Sequence, residues 1–243
     1  MIVQAAGGIR VMVMLKDYRM DLEAMARAVT PLTKIVFIAN PNNPTATMVT
    51  ADEVETFMGR IPDRTIVVFD EAYMEFAFGP DFPETLNYVK QGRRVVTLRT
   101  FSKATSLAGL RVGYGIADAD AISLMNRIRQ PFNVNSLAQV AALAALEDEA
   151  HVLECVRMNE AGRHFLYEEF KALGIRYVPS RANFILVDVG RSAAEIYQKL
   201  LQQGVIVRPM TPFGMETALR ITVGTPEENR KLVKALKAVL GKK

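Results

Sequence analysis

Cysteine is nearly missing from this chain: Cys155 stands alone, so no internal disulfide can form. That usage fits a reducing compartment, and a cytoplasmic location is expected. Cys155 lies beside Val152, Leu153 and Val156 in a helical pattern and reads as a small buried hydrophobe. Histidine is scarce too. His151 and His164 lack metal-ligand spacing, and no metal site is expected. Charge of one sign is not in excess. The net charge is +4 over 243 residues, and Lys and Arg form no block, which argues against nucleic acid and membrane surfaces as partners. A basic head followed by a long apolar stretch is also absent, so neither a signal peptide nor a transmembrane helix is expected. Repeats and low-complexity segments are missing. What remains is a chain that is 50% hydrophobic and 23% charged, with a sizeable core and room for one large domain or two modest ones.

The hydrophobic pattern predicts its layout. Val11 to Leu15 reads as a short strand, and Asp21 to Ala28 as a helix stopped by Pro31. The continuous run Ile35 to Ala39 is expected to be a strand covered on both faces. Turn residues fill Asn40 to Thr47, and Thr50-Ala51-Asp52-Glu53 fits a capping box opening a helix to Gly59. Ile66–Phe69, Val95–Leu98 and Val112–Ile116 read as further strands, and Ala121–Arg129, Ser136–Glu149 and Val152–Leu173 as helices. Strands alternating with helices imply a mainly parallel sheet, which takes ligands at the carboxyl ends of its strands. Beyond Gly174 the order changes. Strands at 175–178, 183–187, 205–208 and 219–223, with helices at 193–203 and 226–240, read as a compact α+β unit. The expected division is 1–150 and 151–243.

Chemistry-bearing residues gather at strand ends in the first part: Asn43 after Ala39, Asp70 after Phe69, and Lys103 after Leu98. Lys103 sits in a turn rich in hydroxyls (Thr100, Ser102, Thr105, Ser106), where an amine loses its proton more readily and can attack an aldehyde. Asp70, directly after an apolar run, needs a cation to meet its charge. Tyr73 follows as a phenol donor. The segment Asp70-Glu71-Ala72-Tyr73 reads equally well as the first turn of a helix, with its acids near the positive dipole end. Arg111 suits a phosphate, helped by Thr100 and Ser102, and reads equally as a surface or ion-pair arginine.

Taken in order, N-P-N-N-P-T (40–45), D-E-A-Y (70–73) and S-K-A-T-S-L-A-G-L-R-V-G-Y (102–114) resemble the fold-type-I pyridoxal-phosphate aminotransferases. R-Q-P-F-N-V-N-S-L-A-Q (129–139) and L-R-I-T-V-G-T-P-E-E-N (219–229) narrow the likeness to the histidinol-phosphate aminotransferases within them. The resemblance covers nearly the whole chain. It implies an α/β large domain with a smaller C-terminal α+β domain, pyridoxal 5'-phosphate as cofactor, and a homodimer acting on small amino and keto acids. Lys103 would be the Schiff-base lysine and the proton carrier. Asp70 would pair with the pyridine nitrogen. Asn43 and Tyr73 would hydrogen-bond the phenolic oxygen, while Thr100, Ser102 and Arg111 would hold the phosphate. Arg220 would take a substrate carboxylate, with Arg208 as a second anion contact, and Asn183 would lie near the crevice or serve structurally. The amino group of histidinol phosphate would pass to 2-oxoglutarate in a ping-pong cycle.

The sequence also departs from the pattern. Ala46 stands at the family's glycine in N-P-T-G, straining the turn if φ is positive there. Phe132 replaces a frequent tyrosine. The opening M-I-V-Q-A-A-G-G resembles the middle of the family's large domain. From this we expect the preceding arm, with part of the phosphate cup, an aromatic ring on the cofactor and part of the dimer interface, to be absent, and cofactor binding and activity to be weak. An aromatic aminotransferase, a phospho-amino-acid decarboxylase of the same fold and a non-catalytic remnant remain alternatives. A nucleotide-binding domain is disfavoured, since G-L-R-V-G-Y-G lacks the glycine spacing and following helix of a phosphate loop.

Overall fold

The apolar runs of the two halves assemble into two separate four-stranded sheets. The computed structural model describes residues 2–77 and 79–241. In chain order the first part holds helices α1 (Ile2–Ala5) and α2 (Leu22–Ala28), strand β1 (Ile35–Ala39), helix α3 (Ala51–Arg60), strand β2 (Ile66–Asp70), helix α4 (Thr85–Lys90) and strands β3 (Val95–Thr100) and β4 (Gly113–Ile116). Helices α5 (Ala119–Ile128), α6 (Ser136–Glu147) and α7 (Glu149–Ala172) lead to β5 (Arg176–Val178), β6 (Phe184–Asp188), α8 (Ala193–Gln202), β7 (Arg208–Pro209), β8 (Ala218–Thr222) and α9 (Pro226–Leu240).

The first sheet runs β1-β2-β3-β4, with β1, β2 and β3 parallel and β4 antiparallel at the edge. Helix α3 covers one face. The predicted capping box forms: Thr50 accepts from the Glu53 amide while Glu53 accepts from the Thr50 amide. The helix then seats Val54, Phe57 and Met58 on Val36, Ile38, Val67 and Phe69. Parallel pairing sends all three strands the same way, so Ala39, Asp70 and Leu98 fall at one end in register. That end carries Asn43, Asp70 and Lys103.

The second sheet, β5-β6-β8-β7, is antiparallel throughout. Helices α7, α8 and α9 bury Phe170, Leu200 and Leu236 against Ile185, Leu219 and Ile221. Another capping box, Thr225 with Glu228, opens α9, and Gly241 ends it in the left-handed conformation. A third cluster joins the halves. Ala46, Tyr73, Phe76 and Ala104 from the first part pack on Ala182 and Phe184 from the second. There the Arg181 amide donates to the Ala46 carbonyl at 2.7 Å.

Several expectations need correction. Val11 to Leu15 forms no strand; it lies outside both sheets with Val11 and Met14 exposed, so no neighbour satisfies its backbone. β1 is covered on one face only, because Ile35 and Phe37 point to solvent. The run at 205–208 pairs only at Arg208–Pro209, where the proline removes a ladder donor. Cys155 is half-buried rather than buried. Helix α4 carries too short a pattern to be recognised in the sequence. Among the described residues no helix is long and apolar enough to cross a membrane, and no group of three or more potential metal ligands forms.

Candidate functional site

β2 ends on Asp70, and the chain turns at once into Ala72 and Tyr73. Asp70 Oδ1 accepts from the Ala72 amide at 3.1 Å, so the carboxylate caps its own turn. The alternative reading of D-E-A-Y as an α-helical first turn gives way to a single 3-10 turn, Met74–Phe76. Tyr73 is buried beneath this turn, edge-on to Phe184 with ring centroids 5.2 Å apart. The Lys103 ammonium stands over the tyrosine ring, 5.1 Å from its centroid. Strand ends β2 and β3 thus bring an acid, a phenol and an amine together.

The surrounding charges act on the amine. Burial pulls the Lys103 pKa below the usual lysine value, the fields of Arg220 and Arg111 lower it further, and Asp70 opposes them. Burial raises Tyr73, with Arg220 pulling down and Asp70 pushing up. Burial also lowers Arg220; Tyr73 opposes that shift and Arg208 adds to it. These couplings bring Lys103, Asp70, Tyr73, Arg111, Arg220 and Arg208 into one electrostatic neighbourhood. Arg220 reaches across from β8 and donates to Asn43 Oδ1 at 2.6 Å, its guanidinium 4.9 Å from the Phe184 ring centroid. Its Nε is buried without a hydrogen-bond partner.

The turn that carries Lys103 is tightly braced. Thr100 Oγ1 accepts from the Ser102 amide at 3.1 Å. Arg111 takes up a left-handed backbone and donates to the Ala108 carbonyl at 2.9 Å, which folds its guanidinium back over the loop. Ala104 is buried against Ala46 and Ala182. Ala46 itself has φ +59° and no exposed surface. The expected left-handed backbone is therefore present, and the methyl group packs in the cluster that joins the two halves. Asn183 opens β6 through its carbonyl, which accepts from the Val223 amide; its neighbour Phe184 is what reaches the site. Phe132 lies away from it, 99% exposed.

Two features escaped the sequence reading. Ser106 Oγ lies 3.1 Å from His151 Nε2, tying the lysine turn to the start of α7. Glu71, hidden behind Asp70, pairs with Arg99 on β3 at 3.0 Å. An arginine inside the apolar run V-V-T-L-R-T was the available signal for the latter.

Comparison with known proteins places this geometry in a family. The model for aminotransferase class I and II matches residues 1–236. A histidinol-phosphate aminotransferase of Moorella thermoacetica is 49% identical over 98% of this chain and 62% of its own length. A histidinol-phosphate aminotransferase 2 of Pseudomonas fluorescens is 48% identical over 99% of this chain and 65% of its own. The chain thus spans somewhat under two thirds of these relatives. The crystal structure of histidinol-phosphate aminotransferase from Sinorhizobium meliloti in complex with pyridoxal-5'-phosphate superposes with a TM-score of 0.88 at 31% identity, covering 98% of this chain and 66% of that one. The chain belongs to the aminotransferase class I and II family.

Proposed function

We propose that this chain carries most of the cofactor and substrate site of a pyridoxal-phosphate-dependent aminotransferase acting on histidinol phosphate, with 2-oxoglutarate as the second substrate. The observation that carries the reading is the Lys103 amine over the Tyr73 ring within the fields of Asp70, Arg111 and Arg220. The donor set suits the cofactor on three counts. A desolvated lysine offers a nucleophilic amine. Asp70 is the acid within this cation-rich cluster and suits a protonated ring nitrogen. The Arg220 guanidinium, anchored on Asn43, supplies a cation for an anionic group.

In this reading Thr100, Ser102 and Arg111 hold the phosphate, and Asn43 and Tyr73 hydrogen-bond the phenolic oxygen. When bound, the cofactor supplies an electron sink that acidifies the substrate Cα–H. Lys103 takes that proton and returns it, a task matched to its lowered pKa. Arg220 and Arg208 orient the carboxylate of the keto acid, 2-oxoglutarate. The relatives' printed names support histidinol phosphate as the amino donor. The division into a cofactor-binding unit, 1–150, and a smaller unit, 151–243, is part of this proposal. So is self-association through the apolar face of α6, where Leu137, Val140 and Leu143 are exposed.

Titration of the full chain with pyridoxal phosphate tests the reading. We expect a visible absorbance band that borohydride bleaches while fixing the cofactor covalently at Lys103. Because the native amine is easier to deprotonate, Lys103 should label at lower pH than the other lysines. Lys103→Ala should remove both the band and the label. A band that survives that substitution sinks the assignment.

A further inference from the structure

Among the described residues, the most enclosed ion pair follows Asp70 directly in the chain and plays no part in the roles above. Glu71 follows Asp70 in the chain, and its side chain has no exposed surface. Both of its oxygens are engaged: Oε1 accepts from the Thr85 hydroxyl at 2.6 Å, and Oε2 from Arg99 Nε at 3.0 Å. The Thr85 hydroxyl lies 3.0 Å from that of Thr97, so the group links β2, β3 and the first turn of α4. The backbone repeats the connection. Asp70 pairs with Leu98 in the last rung of the ladder, the Glu71 amide donates to the Leu98 carbonyl, and the Asn40 amide donates to the Asp70 carbonyl. Beyond this point β2 leaves the sheet toward Tyr73, while β3 runs on through Arg99 and Thr100 to Lys103.

The location matters because a buried carboxylate is costly to desolvate. Burial raises the Glu71 pKa, and Arg99 and Thr85 pull against it. An apolar side chain of similar size would fill the same space at less cost. What Glu71 adds is direction, since its two bonds fix the end of β2 against β3 and against α4.

We propose that Glu71 is a positioning residue that, through Arg99 and Thr85, holds Asp70 and Tyr73 in fixed register with Lys103. This rests on the cofactor reading above. Glu71 touches neither cofactor nor substrate. It sets the spacing between the acid at the end of β2 and the amine after β3, the distance a bound ring has to span.

Backbone amide exchange in the full chain provides the test. Glu71→Ala should speed exchange roughly tenfold or more, both at 71–73 and at 100–104, because the two segments lose a shared anchor. Glu71→Gln should leave both near the parent rates. Its carbonyl still accepts from Arg99, and its amide donates to Thr85, whose hydrogen then turns to Thr97. The pyridoxal phosphate concentration that half-labels Lys103 under borohydride should rise roughly tenfold in the alanine variant and change little in the glutamine variant. Acceleration confined to 71–73 overturns the proposal, and so do equal losses in the two variants. If Glu71→Ala does not fold, Arg99→Leu cuts the clamp from the β3 side and carries the same expectation. If the parent chain takes no label at Lys103, the cofactor reading fails, and the exchange data still decide whether the two segments are coupled.

Discussion

The two sheets of this molecule enclose their hydrophobic residues very differently. In the second, β6 buries Phe184, Ile185, Leu186 and Val187 in succession: helices cover Ile185 and Val187, Met210 covers Leu186, and Tyr73 and Phe76 of the first part cover Phe184. In the first, β1 alternates between core and solvent, and α6 hides little more than Ala138 and Ala142 while Leu137, Val140, Leu143 and Leu146 stay exposed. Beyond Gly174 the large exposed hydrophobics among the described residues are Leu201, Ile206 and Phe213. The contrast shows that the half supplying Asn43, Asp70, Tyr73 and Lys103 leaves more large apolar side chains uncovered than the sheet supplying Arg208 and Arg220. The proposed cofactor-side residues sit on the sheet that leaves more apolar surface exposed.

The largest effects should come from breaking the closed half. Phe170→Ala removes a ring with no exposed surface and is expected to cost about 3–5 kcal/mol in urea unfolding. Phe37→Ala on β1, 55% exposed, should cost less than about 1 kcal/mol. Similar losses at the two positions would erase the contrast. The capping boxes provide a matched pair, one in each half. Thr225→Ala and Thr50→Ala should each lose about 1 kcal/mol, visible as lower unfolding midpoints. A smaller change is expected at Ala46→Gly. Relief of the left-handed backbone, about 1 kcal/mol, is offset by the loss of a fully buried methyl of about 0.8 kcal/mol. A thermal midpoint moved by more than a few degrees would show that one term dominates. Smallest of all, Leu143→Gln should change stability by less than about 0.5 kcal/mol while reducing any self-association seen by sedimentation. If association persists, another face carries it.

Most of the fold was legible because its signals are local. Continuous apolar runs marked β1, β2, β3 and β6 to within a residue or two, and the capping box of α3 was read from four residues. The gathering of Asn43, Asp70 and Lys103 was legible for a related reason: parallel strands put them at one end by topology alone. Val11 to Leu15 failed because an apolar run becomes a strand only when another strand pairs with it. The Glu71–Arg99 pair and the Ser106–His151 contact were hidden because their partners lie 28 and 45 residues apart, beyond any local pattern. The covered face of β1 was overestimated for the same reason, since burial is a property of what else packs there.

The hydrogen bond from Arg220 to Asn43 joins residues 177 positions apart, farther than any other side-chain contact described above. Closing so long a loop is slow compared with forming either sheet. In a refolding experiment, helical signal and tyrosine burial should therefore recover before the pocket can take up its ligand. Colour at Lys103 would then report that long-range closure, and its lag would time the step.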